Sequence, residues 1–245
     1  MGADATILPV LAVVFVATLV RSAFGFGEAL VSVPLLALLI PVTVAVPLAV
    51  LLSVTVAAVV VVQDWDKVHV GSAWRLVVPT LLGIPLGLLA LTSVAEPVVK
   101  AVLAVVMIAF STYCLIRRTR LKLTDDRLAW LFGFVAGVLG GAYGVNGPPL
   151  VIYGTLRRWS PGQFRATLQG YFLPASLVGL VGYWAAGLWV ADVTRYYLWS
   201  LLPALAAIFL GRAVNRRMNG PAFLVYVHVG LIAIGAVLFA QSVWG

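Results

Sequence analysis

Two stretches, Phe24-Gly25-Phe26-Gly27-Glu28-Ala29-Leu30-Val31 and Tyr143-Gly144-Val145-Asn146-Gly147-Pro148-Pro149-Leu150, interrupt the apolar runs of this 245-residue chain and lie 119 positions apart. Each stands between a long apolar segment and a short one. Backbone that leaves the helix at membrane depth is tolerated only where protein buries it or where it lines a cavity. A matched pair of such breaks in corresponding halves marks the substrate site of a transporter built from repeats. The rest of the sequence is consistent with that reading.

The surrounding composition belongs to a membrane protein. The chain is 63% hydrophobic and 10% charged, with a mean hydropathy of +1.10, far from the balance of a soluble domain. The runs 42–62, 98–116 and 222–240 each reach the roughly 18 apolar residues that cross a bilayer. A net charge of +8 would suggest nucleic acid in a soluble protein. Here the basic residues sit in short loops, where they set orientation instead. The single cysteine, Cys114, excludes an intrachain disulfide and any cysteine-cluster metal site. The first apolar run, 7–20, has no basic residue before it, which argues against a cleaved signal peptide.

Ten apolar segments follow: 7–23, 29–40, 42–62, 70–91 and 98–116, then 128–142, 148–156, 168–186, 196–211 and 221–243. At about 1.5 Å per residue, 29–40 and 148–156 are too short to cross. The halves correspond beyond the breaks. Trp65 falls on Trp184 at the offset of 119; after a small insertion Pro79 falls on Pro203 and Glu96-Pro97 on Gly220-Pro221, at 124. The expected fold is therefore an all-α polytopic membrane protein of two inverted repeats. Each is a broken or re-entrant helix pair followed by three transmembrane helices. The first repeat spans 1–121 with its tip at 21–28, the second 122–245 with its tip at 142–148, and together they form one transmembrane domain.

On this topology one face carries Lys67, Arg75, Arg117, Arg118, Arg120, Lys122, Arg127, Arg157, Arg158, Arg165, Arg212, Arg216 and Arg217, and the other only Lys100 and Arg195 as cations. The basic loops are then cytoplasmic and both termini outside. Ordinary pairs of crossings would give the same charge distribution, so length alone favours the re-entrant hairpin.

The breaks also offer chemistry. A short helix starting at Ala29 or Pro148 points free N–H groups and a positive dipole end at its tip. Pro148 suits a first turn, where its missing N–H costs nothing. Gly25, Gly27, Gly144 and Gly147 permit unusual backbone angles and close approach of a ligand. Two such N-termini facing each other form an anion site with few charged side chains. Asn146 adds an amide donor and Tyr143 a phenol, and Phe24 joins them as a candidate substrate-binding residue. The competing reading of any one glycine cluster is close helix packing. The duplication, with Asn-Gly-Pro-Pro in its second copy, favours a binding site.

Arg21 and Glu28 flank the first break deep in apolar sequence, where each is costly unless paired or wet. Either they form a salt bridge that fixes the tip, or Arg21 contacts an anion while Glu28 acts as a protonatable switch. Gln169 and Tyr171 in one crossing, with Ser53 and Thr55 in its counterpart, serve substrate contact or helix–helix hydrogen bonding equally well. His228 reads as packing. No P-loop, HExxH or CxxC motif and no nucleophile–base pair is present, so no enzyme, cofactor or metal centre is expected.

At Phe24-Gly25-Phe26-Gly27-Glu28-Ala29-Leu30-Val31-Ser32-Val33-Pro34 and Gly140-Gly141-Ala142-Tyr143-Gly144-Val145-Asn146-Gly147-Pro148-Pro149-Leu150 the chain resembles the TauE/SafE family of membrane transporters, the sulfite exporters. The resemblance covers essentially the whole chain in length and layout. This chain departs from the family's denser glycine run with Glu28 in the first copy and Asn146 and a proline pair in the second. The resemblance implies export of a small anion such as sulfite or an organosulfonate across a bacterial plasma membrane. The expected partners are that anion and the lipid bilayer, with no nucleic acid; a homo-oligomer is compatible with the apolar surface. Two rivals remain open: a cation or metal carrier using Glu28, Asn146 and backbone carbonyls, and a membrane scaffold with dry, packed tips.

Overall fold

A computed structural model describes residues 3–24, 26–63, 70–116, 123, 126–159, 161–215 and 220–244. The described residues form ten α-helices and no strand: α1 (Ala3–Phe24), α2 (Glu28–Ala37), α3 (Val42–Gln63), α4 (Val70–Ser93), α5 (Glu96–Ile116), α6 (Ala129–Tyr143), α7 (Gly147–Leu156), α8 (Pro161–Ala185), α9 (Ala191–Asn215) and α10 (Gly220–Trp244). The ten apolar segments of the sequence become these ten helices. α8 starts seven residues before its apolar segment, because its polar first turns still sustain helical hydrogen bonds once Pro161 opens the first turn. α1, α3, α4, α5 and α9 carry stretches long and apolar enough to cross a bilayer.

The surface is apolar, as in a membrane protein, and a few polar and charged residues are buried within an apolar interior. Leu82, Leu86 and Leu89 on α4, Val98, Val102 and Val105 on α5, and Leu202 and Phe209 on α9 are exposed, whereas Thr18, Arg21, Glu28, Thr80 and Gln169 are buried. The two short helices are sheathed by protein. Eight of the ten residues of α2 and seven of the ten of α7 are buried, which meets the condition for irregular backbone at membrane depth.

The halves exchange partners. α1 packs on α9, and α6 packs on α4; α3 pairs with α8 and α5 with α10. Swapping the first five helices for the last five maps each of these contacts onto another or onto itself. Pro79 and Pro203 lie inside the corresponding helices α4 and α9, and Pro97 and Pro221 in the first turns of α5 and α10. Trp65 lies outside the described residues.

Small residues set the α4–α6 distance. A Cβ on Gly83 would stand 2.3 Å from the Phe134 carbonyl oxygen, one on Gly137 2.3 Å from that of Thr80, and one on Gly141 2.2 Å from that of Ile84. Backbone meets backbone along this seam, as in small-residue membrane interfaces. Thr80 fastens it, since its hydroxyl lies 2.8 Å from the oxygens of Leu76, Gly133 and Tyr171.

Candidate substrate site

The first break is built by α1 ending at Phe24 and α2 starting at Glu28. Gly27 is the N-cap of α2 with φ 98°, a left-handed backbone that residues with a Cβ adopt at a cost. The first intrahelical bond of α2 runs from Val31 N–H to the Gly27 oxygen, at 3.1 Å. The amides of Glu28, Ala29 and Leu30 precede it and have no acceptor within the helix.

The second break begins where α6 ends in left-handed Gly144, φ 66°. Gly144 N–H bonds the Gly140 oxygen at 2.9 Å and Val145 N–H the Leu139 oxygen at 3.3 Å, a glycine-terminated helix end. The Tyr183 hydroxyl reaches the oxygens of Gly140 and Gly141 at 2.7 and 2.8 Å. Asn146 is the N-cap of α7 and makes no side-chain capping bond. Its side chain packs on Gly140 and stands beside the Tyr171 hydroxyl.

One small cavity joins the two tips. Arg21, Phe26, Gly27, Glu28, Ala29, Leu30 and Ser53 line it from the first half, and Gly144, Val145, Asn146, Gly147 and Phe172 from the second. The space open to the centre of a water molecule is about 20 Å³, room for one or two waters. Arg21 and Glu28, 3% and 2% exposed, meet there. Arg21 Nη1 donates to Glu28 Oε2 at 2.5 Å and to Ser53 Oγ at 2.7 Å. Ser53 Oγ in turn lies 3.4 Å from Ser176 Oγ. The ring of Phe172 covers the guanidinium at 5.2 Å, a cation–π distance. Arg21 Nε and Nη2 and Glu28 Oε1 have no hydrogen-bond partner among the described residues. Buried groups of this kind are costly to leave unpaired.

Of the residues singled out in the sequence, Arg21, Gly27, Glu28, Gly144, Asn146 and Gly147 come together around this cavity. Tyr143, Pro148 and Gln169 are buried close by in α6, α7 and α8 without lining it. Gly25 and the side chain of Phe24 lie outside the described residues. Ser53 turns to Arg21, whereas Thr55 bonds Tyr197 at 2.8 Å and Tyr171 bonds Thr80. His228 packs edge-on against Phe110, between α10 and α5.

Phe172, Phe26 and Ser176 were not anticipated. Nothing in an apolar run distinguishes a phenylalanine that covers a cation. Ser53 and Ser176 are 123 residues apart, between the repeat offsets of 119 and 124, so paired polar positions at the repeat offset were the available signal.

At the C-terminal end of α7 a charged cluster ties down the connection between the halves. Asp126 accepts hydrogen bonds from Arg75 at the start of α4 and from the Tyr153 hydroxyl at 2.8 Å, and pairs with Arg157 at 3.0 Å. Leu123 N–H bonds the Leu156 oxygen at 2.9 Å. Partial burial alone would raise the Asp126 pKa, but the Tyr153 hydrogen bond and the Arg157 and Arg75 charges hold it below the usual aspartate value.

No curated protein and no solved structure matches the chain. A family model described as Sulfite exporter TauE/SafE matches residues 10–238, most of its length. With two glycine breaks meeting at one cavity inside an all-helical apolar body, and that match over both halves, the chain belongs to the TauE/SafE sulfite exporter family of membrane transporters.

Proposed function

We propose that this protein is a secondary transporter of a small anion such as sulfite or an organosulfonate, exporting it by alternating access through a site between the two tips. The observation that carries the reading is the shared cavity, in which a buried arginine keeps two unpaired donors beside the free amides of α2. The same arginine disfavours a cation carrier, because its Nη1 already holds Glu28 at 2.5 Å. The cavity is also not what a scaffold with dry, packed tips would have.

The inverted arrangement has two supports. Thr6 near the start of α1 bonds Tyr196 near the start of α9, while Asp126 before α6 bonds Arg75 near the start of α4. α1 and α2 fold back on one another and α3 then runs a full crossing length, so α4 starts at the end opposite to α1. α6 starts beside α4. On this reading α1 and α6 enter from opposite faces, the Arg75–Arg157 end being cytoplasmic.

Glu28 is the proposed proton switch. Arg21 is the one other charged residue lining the cavity among the described residues, with Ser53 beside it and Thr18 facing the carboxyl. A charged Glu28 repels an anion, and protonation removes that repulsion. Thermal shift of the purified protein with sulfite and short sulfonates tests the site. A ligand at about 100 times its Kd adds about 2.7 kcal/mol of stability. The expected rise in Tm is lost in Arg21→Ala. Shifts with divalent cations only, abolished in Glu28→Gln, would replace this reading with the cation carrier. Uptake into proteoliposomes across a pH series tests the coupling, and an unaltered pH profile in Glu28→Gln would sink it.

A further inference from the structure

The two tips are not chemically equivalent. The start of α2 offers the amides of Glu28, Ala29 and Leu30. The start of α7 reads Gly147-Pro148-Pro149, and the two prolines remove two of the three corresponding donors. Of its first three positions only Gly147 keeps an N–H, with the Asn146 amide beside it. The tip also leaves space: apart from its chain neighbours and the backbone of its own helix, no described residue comes within 4 Å of where a Gly147 Cβ would stand. Phe26, Leu30, Val145 and Phe172 give the cavity apolar walls.

Arg21 is one-sided in the same sense. Its Nη1 is committed to Glu28 and Ser53, while Nε and Nη2 have no partner among the described residues. Those two nitrogens form one edge of the guanidinium, with parallel N–H bonds that match two oxygens of an oxyanion.

We propose, resting on the anion-transport reading above, that the substrate is held asymmetrically: two of its oxygens lie on the Nε–Nη2 edge of Arg21 and the start of α2, and a small apolar substituent faces the α7 tip at Gly147, where Pro148 and Pro149 behind the lining supply no N–H donors. The site thus selects an oxyanion with one short alkyl group, a sulfonate or a carboxylate, over an inorganic oxyanion that needs donors all round. Gly147 and Pro148 are its specificity-determining residues.

Binding to the purified full-length protein tests this, with methanesulfonate, acetate, sulfite and sulfate as probes. Methanesulfonate or acetate is expected to bind at least about tenfold more tightly than sulfate, and whichever of the two binds tighter identifies the head group. Gly147→Ala puts a methyl group into the substituent's space and should weaken the alkyl anion about tenfold while leaving sulfite within about threefold. Pro148→Ala restores an amide and should strengthen sulfite or sulfate severalfold without strengthening methanesulfonate, a gain that misfolding cannot imitate. Equal binding of sulfate and methanesulfonate, or equal loss of every anion in Gly147→Ala, overturns the asymmetric site and leaves anion transport standing. Absence of binding by all four anions to the wild-type protein overturns both.

Discussion

Arg21 and Glu28 show how much one buried pair can decide. A buried ion pair adds little net stability, because desolvation cancels most of its attraction, yet removing one partner strands the other. Arg21→Ala should therefore cost about 3–5 kcal/mol of stability, read as a fall in the unfolding midpoint. Replacing both by apolar residues, Arg21→Met with Glu28→Leu, should recover most of that loss while abolishing anion binding. A single mutant as stable as the wild type would mean that Glu28 is already neutral or hydrated. The three described glycines at the tips differ in the same physical terms. Gly27 and Gly144 hold positive φ, 98° and 66°, so alanine there should cost roughly 1–2 kcal/mol. Gly147 faces open space and should accept alanine with little loss of stability, a contrast that thermal unfolding of the three variants measures directly. The charges were legible in the sequence because charge is rare in apolar segments. Their contacts were not, because Ser53 and Phe172 reach Arg21 from α3 and α8.

At the scale of elements, α6 shows one glycine run serving two purposes. Gly133, Gly137 and Gly141 line the seam with α4, while Gly144 turns the chain and Gly147 opens the cavity. Close packing and cavity lining are divided between neighbouring positions of the same stretch. Gly137→Ala gains about 1 kcal/mol of helix propensity but pushes a methyl group onto the Thr80 carbonyl. Net destabilisation of roughly 1–3 kcal/mol is expected, visible as a lower unfolding temperature. An unchanged or higher midpoint would show that α4 and α6 can separate freely. The four-residue spacing of these glycines was present in the sequence. That their partner is α4 was not, since a small-residue stripe carries no record of which helix it meets.

Across the whole molecule, the exchange of α1 and α6 between halves makes neither half a packing unit of its own, so the tips meet only when both are folded. The charged cluster at Asp126 adds a clamp across that arrangement, joining the start of α4, the end of α7 and the segment between the halves. Because the folded-state pKa of Asp126 is lowered, its contribution is present above the ordinary aspartate pKa, about 3.8. It is lost as pH falls through the lower folded value. Asp126→Asn should lower stability by about 1 kcal/mol at neutral pH and flatten the dependence of the unfolding midpoint below about pH 4. An acid profile identical to that of the wild type would mean that the clamp does not form in the bilayer-embedded protein.

Membrane character, the ten segments, the two glycine breaks and the deep charges at Arg21 and Glu28 were all determined by the sequence alone. Each follows from local hydropathy, from Gly and Pro backbone chemistry, or from the cost of charge in an apolar run. The tertiary structure alone decided that both tips line one cavity, that Arg21 spends one nitrogen on Glu28 and Ser53, and that Tyr143, Pro148 and Gln169 stand behind the lining. The physical reason is that apolar helix faces are nearly interchangeable as packing partners. Only close contact of small residues and the pairing of buried polar groups, which act between distant segments, select one arrangement.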